Sequence, residues 1–249
     1  MITSWLAFSC PHCPLEDATA VEWLLEQIKS RKPDVVVHLG DGHEADAASK
    51  FKNEYDFTLR DEYNSHNEFL LQVRKASPSS RRVFLPGNHD NNLLKWARLD
   101  KDIRDLCDYH EWEPELKHWE EPCGYINGPR GVFRIGQVSF FHGYQTGGNA
   151  DAVQGVRLGL PYGLSVAGHT HSPVDVTQDR RTTTVLNPFW YANAGTMRDI
   201  DAVPWMDDKD RQRWGQAIVV GESETWRYEK SLMPTGPMWR AETIVYRMY

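Results

Sequence analysis

The strongest constraint on how this chain folds is the way its short apolar runs end. Val35-Val36-Val37-His38-Leu39 stops at Gly40-Asp41, and Arg82-Val83-Phe84-Leu85 stops at Pro86-Gly87-Asn88-His89-Asp90. Near the N-terminus, Trp5-Leu6-Ala7-Phe8-Ser9 stops at Cys10-Pro11-His12. Continuous apolar runs this short read as strands covered on both faces, which is the habit of parallel sheets flanked by helices. The segments between them supply the helices. Ala18, Val21, Leu24, Leu25 and Ile28 recur at helical spacing within 17–31, ahead of Pro33. Further helical stretches cover 57–76 and 91–107. The alternation predicts an α/β layered fold.

Beyond residue 131 the texture changes. Strand-like runs recur at Val132–Ile135, Val138–Phe141, Leu164–Ala167, Thr182–Leu186 and Ala217–Val220, punctuated by Gly, Pro and Asn. No repeat, low-complexity tract or long linker divides the 249 residues, so one domain spanning 1–249 is expected. Two stretches read as insertions or lid loops over a site. One is 108–131, with Trp112, Trp119 and several glutamates; the other is 198–214, which is too polar to be expected in a core.

Composition removes several classes. With 40% hydrophobic and 25% charged residues, disorder, collagen and coiled coil are excluded. A formal charge of −7 opposes strong binding to duplex nucleic acid, which depends on neutralising phosphates. No apolar run approaches the roughly 20 residues that span a bilayer, so no membrane association is expected. The opening MITSWLAFSCPHCP lacks the basic start of a secretory signal, and the expectation is a cytoplasmic protein. The four cysteines, Cys10, Cys13, Cys107 and Cys123, are then not expected to form a disulfide framework. Cys10-Pro11-His12-Cys13 after a strand has the look of a redox Cys-x-x-Cys. That short match needs context from the rest of the chain.

The context points elsewhere. The strand-like segments of the first half end in Cys10 and His12, in Asp41, and in Asn88, His89 and Asp90. The second half adds Phe141-His142-Gly143 and Ala167-Gly168-His169-Thr170-His171. Open α/β sheets bind ligands beyond the carboxyl ends of their strands. Nitrogen, oxygen and sulfur donors converging there from five elements are what a two-metal site requires. His38, His43, His66, His110 and His118 lack this pattern and read as structural. A Gly-Asn-His-Asp tetrapeptide arises by chance about once in a thousand chains of this length. Here it is ordered with Gly-Asp, His-Gly and Gly-His-Thr-His, which a redox domain would not explain.

With these motifs in place, the chain resembles the calcineurin-like metallophosphoesterases, from about Trp5 to Val220. The carrying residues are Cys10-Pro11-His12, Gly40-Asp41, Gly87-Asn88-His89-Asp90, His142-Gly143, Gly168-His169-Thr170-His171 and, later, Asn193-Ala194-Gly195-Thr196. The resemblance implies a four-layer αββα sandwich, two mixed β-sheets flanked by helices. It implies two divalent transition-metal ions, of the Mn, Zn, Fe or Ni kind, as cofactors. His12 and His171 would hold one ion with Cys10 beside them, Asp41 would bridge, and Asn88, His142 and His169 would hold the second. His89 would face the phosphoryl group, with Asp90 orienting its ring. Such a pair of ions can generate a bridging hydroxide and stabilise a leaving oxygen. One departure is plain: the family's first motif begins with Asp, and this chain has Cys10. A thiolate keeps the negative charge and is expected to ligate, biasing the site toward Zn or Fe, with Cys13 as an oxidation partner.

The implied activity is phosphoester hydrolysis. Gly40-Asp41 lacks the Asp-Arg-Gly continuation of the protein phosphatases, and the third motif ends in Asp90 rather than Glu. No basic cluster adjoins the motifs to clamp a terminal phosphate, which favours a phosphodiester, a nucleotide among the candidates, over a monoester or a nucleotide pyrophosphate. Arg157, Arg180, Arg181 and Arg198 can enter from loops, and Tyr144, Trp112 and Trp190 can stack a base or pack beneath loops. A metal-stabilised scaffold using Trp190, Trp205, Trp214, Trp226 and Trp239 as a partner surface is the alternative of another class. The intact His89 argues against it. Oligomeric state is not encoded in these patterns.

Overall fold

The computed structural model describes residues 1–49, 55–99, 104–125, 129–147, 150–157, 163–179, 189–204, 206–224 and 239–248. The expected strand at 182–186, Arg180, Arg181, Trp205 and Trp226 lie outside the described residues, as does the side chain of Arg157.

The first half alternates β1 (Ile2–Phe8), α1 (Ala18–Arg31), β2 (Val35–His38), α2 (Leu59–Ala76), β3 (Arg81–Phe84) and α3 (Asn88–Leu99). Two short helical pieces follow, α4 (Arg104–Cys107) and α5 (Tyr109–Trp112). The second half runs β4 (Phe133–Ile135), β5 (Val138–Phe141), α6 (Ala150–Arg157), β6 (Gly163–Ala167), β7 (Val174–Gln178) and β8 (Phe189–Asn193). It closes with α7 (Asp208–Arg211), β9 (Gly215–Glu224) and β10 (Trp239–Met248).

These strands form two five-stranded mixed sheets, ordered β10-β9-β1-β2-β3 and β4-β5-β6-β8-β7. Parallel pairing of β1 with β2 and β2 with β3 sets Trp5 opposite Val35 and Val35 opposite Arg81. In the second sheet β5, β6 and β8 run parallel while β4 and β7 pair antiparallel at the edges.

The period of two along β1 divides the core. Trp5 and Ala7 enter the cluster between the sheets, with Val35, Val37, Val83, Phe140, Val166 and Val219. Leu6 and Phe8 face the other way, onto Val21, Leu24, Ile28, Phe69 and Leu70 of the helices. Because both strand faces are covered, the runs read as unbroken apolar stretches. On the far side, α6 presses on the second sheet so closely that a Cβ at Gly155 would lie 2.0 Å from the Phe189 ring. The four layers expected from the sequence are therefore present.

The helices start where local chemistry satisfies their free N–H groups. Asp17 accepts from the backbone of Thr19 and Ala20 at the head of α1, at 2.8 and 3.1 Å. Thr58 and Asp61 form a reciprocal capping box at the head of α2, each cap contributing about 1 kcal/mol.

Two expectations change. The helix anticipated at 91–107 begins at Asn88, so Asn88, His89 and Asp90 occupy its first turn rather than a strand end. The stretch 198–214 is not simply surface: Ile200, Val203 and Met206 are buried together beside Trp214. Within 108–131, Tyr109, Leu116 and Trp119 likewise join the helical core.

Candidate metal centre

The loops that follow β1, β2, β5 and β6 and the first turn of α3 meet between the two sheets. Cys10, His12, Asp41, His169 and His171 all hold positive φ, at 54°, 51°, 52°, 69° and 58°. For residues with a Cβ this left-handed region costs on the order of 1 kcal/mol or more each, and it persists only where surroundings fix it. Backbone bonds do the fixing. Cys10 N donates to Gly40 O at 3.0 Å, His12 N to Asp41 O at 3.1 Å and Gly168 N to His142 O at 2.9 Å. Glycine is required where the loops touch: a Cβ on Gly87 would stand 2.1 Å from Asp41 Oδ1.

Two of the resulting donor groups share Asp41. Cys10, His12, Asp41 and His171 place ligating atoms within 4.8 Å of one another, and so do Asp41, His142 and His169. His12 Nε2 faces His171 Nε2 at 3.1 Å. His142 Nε2 lies 3.0 Å from Asn88 Oδ1 and 3.1 Å from Asp41 Oδ2. All seven ligand positions expected from the motifs are thus in this one region, and the donor types suit borderline divalent ions.

Behind the donors, the second nitrogen of His142 is tied off, as ligating imidazoles require, while His171 Nδ1 is buried without a hydrogen-bond partner. His142 Nδ1 donates to Leu39 O at 2.7 Å. His12 Nδ1 lies 2.9 Å from Glu44 Oε2, close but off the hydrogen-bond axis. Burial depresses the pKa of His12, His169 and His171, with neighbouring imidazoles adding to it, and His169 falls to about 4. Neutral imidazole is the form that binds metal. Burial opposes ionisation of Asp41, but His142 and His89 outweigh it and hold the carboxylate charged. Burial and the Asp41 charge push the Cys10 thiol up; its sulfur contacts Ser9 Oγ at 2.8 Å and accepts from His169 N at 3.4 Å. Cys10 and Cys13 are both buried and free.

The residues behind the donors are where sequence reasoning fell short. Asp90 does not orient the His89 ring. Its oxygens accept from the backbone of Asp41, Gly42 and Gly87 at 2.9, 3.0 and 2.7 Å, and Oδ1 meets His43 Nδ1 at 2.8 Å. The Glu44 carbonyl accepts from His89 Nδ1 instead, and His89 N donates to Asp41 Oδ1 at 2.9 Å. Arg198 is not a phosphate clamp. It is 2% exposed and donates to Glu44 Oε2 at 2.8 Å and to Tyr55 at 2.8 Å. His43 and His66, read as structural, are both bonded to Glu113. His38 is buried against Phe8 and Phe84, whereas His110 lies at the surface between Asp108 and Glu121.

The aromatic candidates also resolve. Trp112 lies under Arg60 and donates to Asp105 O at 2.6 Å. Trp190 packs edge-on against Trp239 at 5.8 Å. Tyr144 adjoins His142 in sequence and, with Tyr125, lines a slot beside it. Among the described residues, no helix is long and apolar enough to cross a membrane.

A family profile described as calcineurin-like phosphoesterase matches residues 5–183. Among solved structures, Yfce, a phosphoesterase from E. coli, is 15% identical with a TM-score of 0.40, over 89% of this chain and 88% of that one. Vacuolar Protein Sorting 29 from Cryptosporidium parvum is 12% identical with a TM-score of 0.44, over 98% of each chain. No curated protein matches the sequence.

Proposed function

Because the chain belongs to the calcineurin-like phosphoesterase family, we propose that it is a metal-dependent phosphodiesterase acting on a nucleotide or another small phosphodiester. The observation that carries this reading is the sharing of Asp41 between two converging donor groups, with His89 beside them. Cys10, His12, Asp41 and His171 would hold one ion, and Asn88, Asp41, His142 and His169 the other. The ions would supply a nucleophile at neutral pH and charge stabilisation for the leaving oxygen.

His89 is the proton donor in this reading. Burial lowers its pKa, but the Asp41 and Glu44 carboxylates outweigh burial and raise it, which favours the protonated ring. Its Nδ1 is committed to the Glu44 carbonyl, which leaves Nε2 for the substrate. Glu44 therefore serves two ligand-bearing loops, through its carboxylate at His12 and its carbonyl at His89. Asp90 holds the Asp41 loop rather than the His89 ring. The preference for a diester draws on the site's cation supply: Arg198, which reaches Glu44 behind His12, is spent on that carboxylate. So engaged, Arg198 is no fork for a terminal phosphate dianion.

The test is hydrolysis of bis-(p-nitrophenyl) phosphate by chelator-stripped protein with Mn, Zn, Fe(II) or Ni restored singly. Metal-dependent turnover is expected, and His89→Ala should lower kcat by about 10²–10⁴-fold at unchanged metal content. Activity confined to p-nitrophenyl phosphate moves the substrate class to monoesters. No turnover of either compound with any metal overturns the catalytic reading. Cys10→Ala should reduce bound metal; unchanged stoichiometry removes Cys10 from the ligand set.

A further inference from the structure

We propose that His43, His66 and Glu113 form a third cation site, for a borderline divalent ion such as zinc, buried behind the dinuclear centre and separate from it. It goes beyond the hydrolytic reading and does not depend on it.

Three segments remote in sequence supply the donors: the loop after β2, the middle of α2 and the residue after α5. His43 and His66 are fully buried and Glu113 is 1% exposed. Their ligating atoms lie within 4.8 Å of one another, and none belongs to the two groups around Asp41. Two imidazoles and one carboxylate are a familiar ligand set for zinc and iron.

The surroundings match those of a ligating cluster. Asp90 Oδ1 meets His43 Nδ1 at 2.8 Å and turns Nε2 toward Glu113. A carboxylate behind a histidine is the usual support for a metal ligand. His66 Nδ1 meets Glu113 Oε2 at 2.9 Å. Its ring lies against the Asp41 loop so closely that a Cβ on Gly42 would stand 2.4 Å from His66 Nε2. That nitrogen and the Tyr109 hydroxyl are buried without hydrogen-bond partners. Rings of Tyr109, Tyr63 and Phe84 wall the cluster, with centroids 5.0 and 5.6 Å from His43 and 5.6 Å from His66.

Charge supplies the motive. The Asp90 and Glu113 carboxyl groups both face this one pocket, one on each nitrogen of the His43 ring, with Asp41 just beyond. A dication would balance Asp90 and Glu113, leaving both imidazoles neutral. Loading exchanges the proton between His43 Nε2 and Glu113 for the ion, and that proton leaves to solvent; the proton on His66 Nδ1 moves to the unpartnered Nε2, which frees Nδ1 to ligate. Glu113 and the imidazoles must spread slightly to seat it, because hydrogen-bonded atoms sit closer than two ligands of one ion. Such an ion would fasten α2 and the 109–113 segment to the loop that carries Asp41.

The experiment uses the full chain refolded with zinc, then dialysed folded against EDTA, with metal measured by mass spectrometry. One equivalent should survive dialysis in the wild type and in His171→Ala, and should be lost in His66→Gln and in Glu113→Gln. X-ray absorption at the zinc edge of the dialysed wild type needs no variant. It should show nitrogen and oxygen neighbours at about 2.0–2.2 Å and no sulfur near 2.3 Å. Complete loss of metal on dialysis, with no more than two equivalents bound in excess zinc, overturns the proposal. So does a sulfur neighbour, or an equivalent lost in His171→Ala, since either assigns the retained ion to the Cys10 site. These readouts are the same whether hydrolytic activity is present or absent.

Discussion

The two halves of the candidate centre are held by different physics. The loops after β1 and β2 and the start of α3 rest on buried charge: Arg198 on Glu44, Glu44 on His12, and Asp90 on His43, which meets Glu113. The loops from the second sheet rest mostly on neutral groups. His142 leans on the Leu39 carbonyl, and Asn193 Nδ2 donates to Gly168 O at 2.8 Å, Thr170 Oγ1 at 3.0 Å and Asp151 Oδ1 at 2.7 Å. A complete charged network orders its members firmly, but each charge depends on its partner. Neutral hydrogen bonds are individually weaker and less costly to lose. The first half should therefore fail abruptly, and the second by degrees.

The largest effect is expected from Arg198→Ala. It strands the Glu44 carboxylate, 3% exposed as a residue, without its guanidinium partner. Removing one member of a buried pair costs about 3–5 kcal/mol, to be read as a lowered urea midpoint of the metal-free protein. The Glu44→Gln, Arg198→Met double variant should recover much of that loss, because no charge is then left alone. A single variant no less stable than the wild type would mean that the first half is not held by charge.

This asymmetry explains what the sequence disclosed. The candidate donors were legible because each sits within a few residues of a strand end, in motifs of local spacing. Their supports were not. Glu113 meets His43 across 70 positions and Arg198 meets Glu44 across 154, and nothing local marks either partner. Both residues lay in stretches whose polarity suggested surface loops, since charge that is neutralised in the fold looks solvent-bound in the sequence. The layers were legible because β1, β2, β3 and β6 are covered on both faces. The left-handed backbone at Cys10, His12, Asp41, His169 and His171 was not, because residue types that carry ligands conceal a conformation usually announced by glycine.

Asn193→Ala probes the neutral half. It removes the donor to Gly168 O, Thr170 and Asp151 and the acceptor for Gly195 N at 2.9 Å. A loss of roughly 1–3 kcal/mol is expected, with His12 and Asp41 still in place and binding at the His142–His169 group weakened first. Loss of both ions together at low zinc, measured by titration, would show that the two halves are one cooperative unit instead.

The smallest effect separates the halves by the sign of their pH dependence. In the first half, burial opposes ionisation of Asp90, but His43 outweighs it and holds the carboxylate below its usual range. Stability from Asp90 is present above the unfolded value and is lost as pH falls. Asp151, against Asn193 in the second half, goes the other way. Burial raises it from 3.8 to about 6, only partly offset by the Asn193 bond. The folded state therefore prefers Asp151 protonated, and its contribution is full below pH 3.8 and lost as pH rises through about 6. Asp151→Asn keeps an acceptor for Asn193 and removes the titration. Between pH 5 and pH 7 the wild type should lose about 1 kcal/mol relative to this variant, read from urea midpoints at the two values. A constant difference across that range would show that the Asp151 carboxyl is as solvated in the fold as in the unfolded chain. A wild type that instead gains on this variant between pH 5 and pH 7 would place Asp151 with the charged half.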